Sequence, residues 1–219
     1  MSTVVVSGFF VGLIYGLLGV GLVVVYRGAR VINFAYAETG MIGAFAFAEL
    51  WSGGSVPMPV AFIVAIGLSA AVGGGTEFLV VRPLRTEPRL SVMVATFAVA
   101  SVLLVFATRR YGVGPRYIEP LVGGAGIRVA GVQILPQQLL VLAVSVVVMA
   151  GLWALYRFTA FGLRLRAVAL DPYAADLSGI DTDKVSITTW ALAGAIAGLS
   201  AVLIAPLVPM APGGAALAG

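Results

Sequence analysis

Cysteine and histidine are both absent from this chain. The first absence excludes disulfides, thiolate metal sites and cysteine nucleophiles. The second removes the usual zinc and haem ligands and any serine–histidine arrangement. No catalytic or metal-binding residue is assigned, and no cofactor is expected on the chain itself. Charge is scarce as well, at 10% of 219 residues against about 25% in a soluble domain. No GxxxxGK[ST] loop occurs, so any phosphate chemistry has to come from a partner. A positive leader is also missing. Arg27 is the first basic residue, and the apolar run before it is too long for a signal-peptide core, so no cleaved signal is expected. The net charge of +4 sits at the ends of apolar runs and not in one patch, which gives no reason to expect nucleic acid.

What is present is apolar. Hydrophobic residues make up 61% of the sequence, in runs of around 20 residues, the length that crosses a bilayer core. The expected fold is an all-α integral membrane protein embedded in lipid, a single membrane domain over 1–219. About six transmembrane helices are predicted, at 4–26, 31–50, 59–81, 90–108, 137–156 and 185–208. Gly8, Gly12 and Gly16 recur every fourth residue and read as a helix-packing stripe. The 59–81 run is interrupted by Gly73, Gly74 and Gly75, and Glu77 near its end is within reach of Arg82 or Arg85. Between 109 and 136 the chain leaves the membrane, with a small external β-hairpin turning at Ala130 and Gly131.

The 31–50 run is unusual because it carries Asn33 and Glu38 in its first half. A charge near the bilayer centre costs about 2.5–3.5 kcal/mol on the insertion scale, so it faces a bundle interior or a water-filled cavity. Two readings of Glu38 follow: a group beside a translocation path, or a buried carboxylate bonded to a neighbouring helix. Asn33 suits a helix–helix hydrogen bond, and Tyr36, Phe45 and Phe47 suit packing. The segment is either a continuous helix or a broken one. If it crosses, Arg27, Arg30, Arg82, Arg85, Arg89, Arg157, Arg164, Arg166 and Lys184 share one side, and Arg109, Arg110, Arg116 and Arg128 the other. If it does not, the basic residues divide almost evenly. The positive-inside rule therefore favours six crossings, an external N-terminus and a cytoplasmic 159–184 loop.

That loop contains a helix with its own punctuation. Asp171 suits an N-cap, Pro172 the first helical position, and Gly179 the position just past the end. So short a helix is marginal alone, which implies that something docks on it.

Three stretches, in order, resemble one family. RVINFAYAETGMIGAF resembles the "INFAHGE…MIG" segment of permeases of branched-chain amino acid ABC transporters, the LivH-like inner-membrane subunits. EFLVVRPLRTEPRLSVMVATFAVASVLL resembles that family's "E…RPLR…P.L…T.G" segment, and FGLRLRAVALDPYAADLSGIDTDKV its cytoplasmic loop. The resemblance runs from about Gly8 to Leu207. It implies that Asp171, Pro172, Tyr173, Ala174, Ala175, Asp176, Leu177, Ser178 and Gly179 form the helix that couples to the ATPase. It also implies that Asn33, Tyr36 and Glu38 belong to the translocation path or its supporting shell. Tyr36 stands where the family often has His, and Ala37 where it often has Gly, so a bulkier aromatic is expected to narrow or reshape the passage.

The implied partners are two ABC ATPase subunits carrying ATP, a second permease subunit (homologous or identical) and an external substrate-binding protein, all at a bacterial plasma (inner) membrane. Branched-chain amino acids are the default substrate; urea, short amides and other amino acids are the alternatives within the family. Outside it stand an ion-coupled transporter using Glu38 and a non-transporting membrane subunit. Family members continue past the equivalent of Leu207, so C-terminal truncation is expected.

Overall fold

The long helices are apolar on every side, so periodicity does not choose which face each one buries. Close backbone approach through small residues does. The computed structural model describes residues 2–52, 54, 56–114, 116–129, 132–208, 210 and 212. Among them are eight α-helices: α1 Ser2–Ala29, α2 Tyr36–Ser52, α3 Met58–Thr76, α4 Arg89–Tyr111, α5 Pro136–Phe158, α6 Ala160–Leu170, α7 Pro172–Leu177 and α8 Thr182–Ile204. Helix α8 is the axis of the bundle and packs against α1, α2 and α3, while α4 and α5 lie at the periphery.

Two contacts show why α8 can sit so centrally. A Cβ on Gly40 of α2 would lie 2.6 Å from the Ala197 carbonyl oxygen of α8, and one on Gly73 of α3 would lie 2.5 Å from the Trp190 carbonyl. Backbone meets backbone at both places. Larger residues then fill the space on either side. Val24, Val25, Val31, Tyr36, Val81, Val92 and Trp190 form a cluster toward one end of the bundle, and Phe47, Ala61, Ala65, Ile118 and Val202 form one toward the other.

The six long elements alternate in direction. Arg82 and Arg85, just after α3, pair with Asp183 at the start of α8. Glu49 near the end of α2 pairs with Arg110 near the end of α4. At that second end lies the expected hairpin, β1 Ile127–Val129 and β2 Val132–Ile134, antiparallel with Ile127 opposite Ile134. Its turn at Ala130 and Gly131 falls outside the described residues.

Four expectations are decided by the structure. Of the two readings of 31–50 it takes the broken one: residues 31–35 are non-helical and α2 begins at Tyr36. Its 17 residues reach about 25 Å at 1.5 Å each, short of a bilayer core of about 30 Å. Five other helices are long and apolar enough to cross. The break has a local cause. The Asn33 Oδ1 accepts the Ala35 N–H at 2.9 Å and the Thr96 Oγ1 accepts the Phe34 N–H at 3.2 Å, so the backbone is satisfied without a helix.

Second, Gly73, Gly74 and Gly75 do not interrupt α3, which runs through them to Thr76 and then widens into a π-turn over Glu77–Val81. Gly73 serves contact with α8, not a bend. Third, a Cβ on Gly8, Gly12 or Gly16 would meet nothing within 4 Å among the described residues, so the stripe brings no helix into close backbone contact there. Fourth, α6, an 11-residue helix, occupies part of the loop expected to hold only one short helix.

Gly40→Val is expected to overfill the α2–α8 contact and destabilise the fold by about 1–3 kcal/mol. Gly12→Val, facing open space, leaves the thermal midpoint of the purified chain nearly unchanged. Equal midpoints for the two variants would remove the close-approach argument.

Candidate functional site

Two places gather the residues singled out by the sequence. The first is the polar end of the bundle, where α6, α7 and the start of α8 meet. Thr159 caps α6, its Oγ1 accepting the Gly162 N–H at 3.1 Å. Asp171 then ends α6 and starts α7, its Oδ1 accepting from the Tyr173 and Ala174 amides at 2.9 and 3.1 Å. Pro172 takes the first helical position. At the far end Gly179 has φ +80°, a left-handed conformation that suits glycine. The Ile180 N–H donates to the Ala175 carbonyl at 3.1 Å, so the last turn closes back on the helix.

Six residues would not hold together as a helix in water. Here Ala175, 4% exposed, anchors α7 among Leu165, Val168 and Val185. Tyr173 and Leu177, 74% and 73% exposed, point away from that anchor. Sequence alone puts Ala174 and Ala175 together at the middle of a docking helix. The structure separates them: Ala174 is exposed, along with Asp171, Asp176, Ser178 and Gly179, while Ala175 faces inward. An aromatic and an aliphatic side chain thus stand exposed beside Asp171 and Asp176 on this turn.

Behind this surface a charged network ties α3 to α8. Glu77, 1% exposed, pairs with Arg85; Arg85 and Arg82 both pair with Asp183. Sequence anticipates the reach of Glu77 toward Arg85 but misses Asp183. The start of α8 is fixed a second time by Asp181, whose Oδ1 accepts the Lys184 N–H at 2.9 Å and whose Oδ2 meets the Lys184 ammonium at 2.8 Å. The side-chain and then the backbone bond from Lys184 hold the Asp181 carboxyl below the usual carboxylate range. A lowered folded pKa means the cap is in place at neutral pH and is lost as pH falls through that value. An Asp ahead of a long apolar run is a readable N-cap signal.

The second place is the start of α2. Asn33 is buried and acts on its own segment through the Ala35 amide. The Tyr36 ring is buried between α1 and α8, in a notch that exists because Gly21 has no side chain; Ile196 lines the other side. Tyr36 is therefore a packing residue between α1 and α8. Glu38 differs from both. It is half-buried, and its Oε2 is covered yet has no hydrogen-bond partner among the described residues. Phe34 and Ala37, close by in sequence, are exposed.

Position decides which charges matter for stability. Removing Arg85 leaves the buried Glu77 uncompensated, so Arg85→Ala is expected to cost about 3–5 kcal/mol. Arg82 lies at the surface, and Arg82→Ala costs at most about 1 kcal/mol. Adding Glu77→Gln to Arg85→Ala recovers most of the loss, as read from thermal midpoints in detergent.

Comparisons of the sequence with known proteins point to one family. The profile of the family described as branched-chain amino acid transport system, permease component, matches residues 4–213. The chain is 29% identical to the high-affinity branched-chain amino acid transport system permease protein BraD of Pseudomonas aeruginosa, over 91% of this chain and 69% of that one. It is 27% identical to the corresponding LivH protein of Escherichia coli, over 90% of this chain and 68% of the relative. A probable LivH permease of Methanocaldococcus jannaschii is 29% identical, over 86% and 61%. No solved structure matches significantly. With its profile match spanning nearly all of the described bundle, the chain is a multi-pass membrane protein that belongs to the family of permease components of branched-chain amino acid transport systems.

Proposed function

We propose that this chain is a membrane-spanning subunit of an ABC importer, that branched-chain amino acids are its cargo, and that α7 is where partner ATPases engage it. The observation that carries the reading is the shape of α7: a capped helix held by Ala175 that projects Tyr173 and Leu177 into solvent. A stand-alone transporter has no use for such a surface. ATP binding and hydrolysis fall to two partner ATPases, and motion from them enters this chain through Asp171 to Gly179. A second permease subunit completes the passage, and an external binding protein delivers the cargo. Residues 31–35 and α2 together return the chain to the far end, where Glu49 pairs with Arg110, so nine basic residues fall at the α6–α7 end and four at the other; in this reading the α6–α7 end faces the cytoplasm and the N-terminus lies outside. The whole of 1–219 acts as one membrane domain in this reading, with 159–184 as its cytoplasmic coupling loop.

Asn33 and Tyr36 then form the supporting shell of the path, and Glu38 stands at its edge. The unpartnered Glu38 oxygen needs a donor, which a facing subunit, water or the ammonium group of an amino acid supplies. Glu38→Gln keeps the size and removes the charge. It is expected to cut leucine uptake by about tenfold or more, the loss associated with one charge-assisted bond, while the complex still assembles. Unchanged uptake would take Glu38 out of the path.

Tyr173→Glu combined with Leu177→Glu tests the docking surface without touching the buried anchor. The expected result is normal membrane abundance, loss of co-purified ATPase, and leucine uptake reduced to background. Retention of the ATPase would overturn the role given to α7. Uptake that persists without nucleotide and collapses with the ion gradient would favour an ion-coupled transporter using Glu38.

A further inference from the structure

Helix α1 ends in an unexpected way. A residue in the left-handed conformation closes many helices, and it is usually glycine. Here the closing residue is Arg30, with φ +53°, the single non-glycine residue among those described with positive φ. Its N–H donates to the Tyr26 carbonyl at 2.8 Å, completing the last turn of α1. Glycine would serve that backbone better. A side chain at this position therefore has to be accounted for by what it does.

The Arg30 guanidinium crosses to the other end of the sequence. Its Nη2 donates to the carbonyl of Ala169 at 2.6 Å and to that of Leu170 at 2.9 Å. These carbonyls belong to the last turn of α6, immediately before Asp171 and α7. Beside the bonds lies a cavity of about 420 Å³ whose lining includes Gly28, Val31, Val168 and Pro172. The bonds span a gap there instead of topping a filled contact.

On its other side Arg30 leads directly into residues 31–35. That segment lacks a helical ladder and is held by separate points: Val31 in the core, the Asn33 turn and the Phe34 amide on Thr96. Short stretches of this kind absorb backbone rotation more readily than helices do. Two residues later come Tyr36 and, after it, Glu38.

We infer that Arg30 is a positioning residue for coupling: it links the α6–α7 junction to the 31–35 segment, so that displacement of α7 is passed to the start of α2. The inference rests on the docking role proposed for α7 and adds the route by which that motion leaves it. Other charged contacts in the region join α3 to α8, whereas the Arg30 bonds join the α6–α7 junction to the residue that precedes the 31–35 segment.

The absence of cysteine makes the test direct. Phe34, 49% exposed, is replaced by cysteine as the sole thiol in the complex purified with its ATPases, those being made cysteine-free. Maleimide labelling is then followed with and without ATP and vanadate. In the Phe34→Cys parent, nucleotide is expected to change the labelling rate. Arg30→Gly keeps the cap conformation and removes the two bonds. It is expected to leave ATPase binding and hydrolysis in place while the nucleotide-dependent change shrinks by at least about fivefold, the lower range of typical coupling. Arg30→Lys, able to reach a carbonyl, restores part of it. A full nucleotide response in Arg30→Gly overturns the inference. Failure of the parent chain to retain any ATPase overturns the docking reading, and the route with it.

Discussion

Direct backbone contact between α8 and its neighbours is the constraint on which the other features rest. In lipid an apolar helix gains nothing by exchanging tails for side chains, so packing has to come from close van der Waals contact. Gly40 and Gly73 supply it by letting carbonyls of α8 approach where any Cβ would collide. That approach fixes α2 and α3 on α8, and it places Glu77 of α3 at the base of the charged network. A buried carboxylate is costly without a partner. Arg85 reaches it because the chain widens into a π-turn after Thr76 and then tightens over Arg82–Leu84. The same turn presents Arg82 and Arg85 to Asp183, so the start of α8 is held by both charge and packing.

Stiffness is therefore unevenly distributed. The α2–α3–α8 unit is fixed by backbone contact, and α7 has its own small anchor at Ala175. Between them, α6 shares that anchor through Leu165 and Val168, and residues 31–35 combine Val31 in the core with the hydrogen bonds of Asn33 and Phe34. In the route proposed for Arg30, displacement of α7 would reach α2 through residues 31–35, which have no helical ladder.

How much of this could be read from sequence follows from the range of each interaction. The α7 helix was legible because its signals are local: Asp171, Pro172 and Gly179 each act within a turn. The hairpin was legible for the same reason, as was the presence of Asn33 and Glu38 in an apolar run. What escaped was set by distant partners. The break before Tyr36 depends on Thr96 as well as Asn33. The three glycines of α3 look like a kink until Trp190 is seen against Gly73. The Gly8–Gly16 stripe looks like a packing face, although among the described residues nothing comes close enough to touch a Cβ there. Ala175 cannot be told from Ala174 without knowing which side of the turn faces Val168 and Val185.

Tyr36 and Glu38 show where the reading of the site changes most. They are two residues apart, so on a helix they point in well-separated directions. Tyr36 turns toward α1, where Gly21 leaves room for its ring. A large residue in α2 is matched by a missing side chain in α1, so the exchange of His for Tyr relative to the family pattern is absorbed inside the bundle. Glu38 is half-buried with its Oε2 covered, while Phe34 and Ala37, close by in sequence, are exposed. The two positions therefore differ in kind: Tyr36 is accounted for by its packing against Gly21, and Glu38 keeps an oxygen without a donor among the described residues.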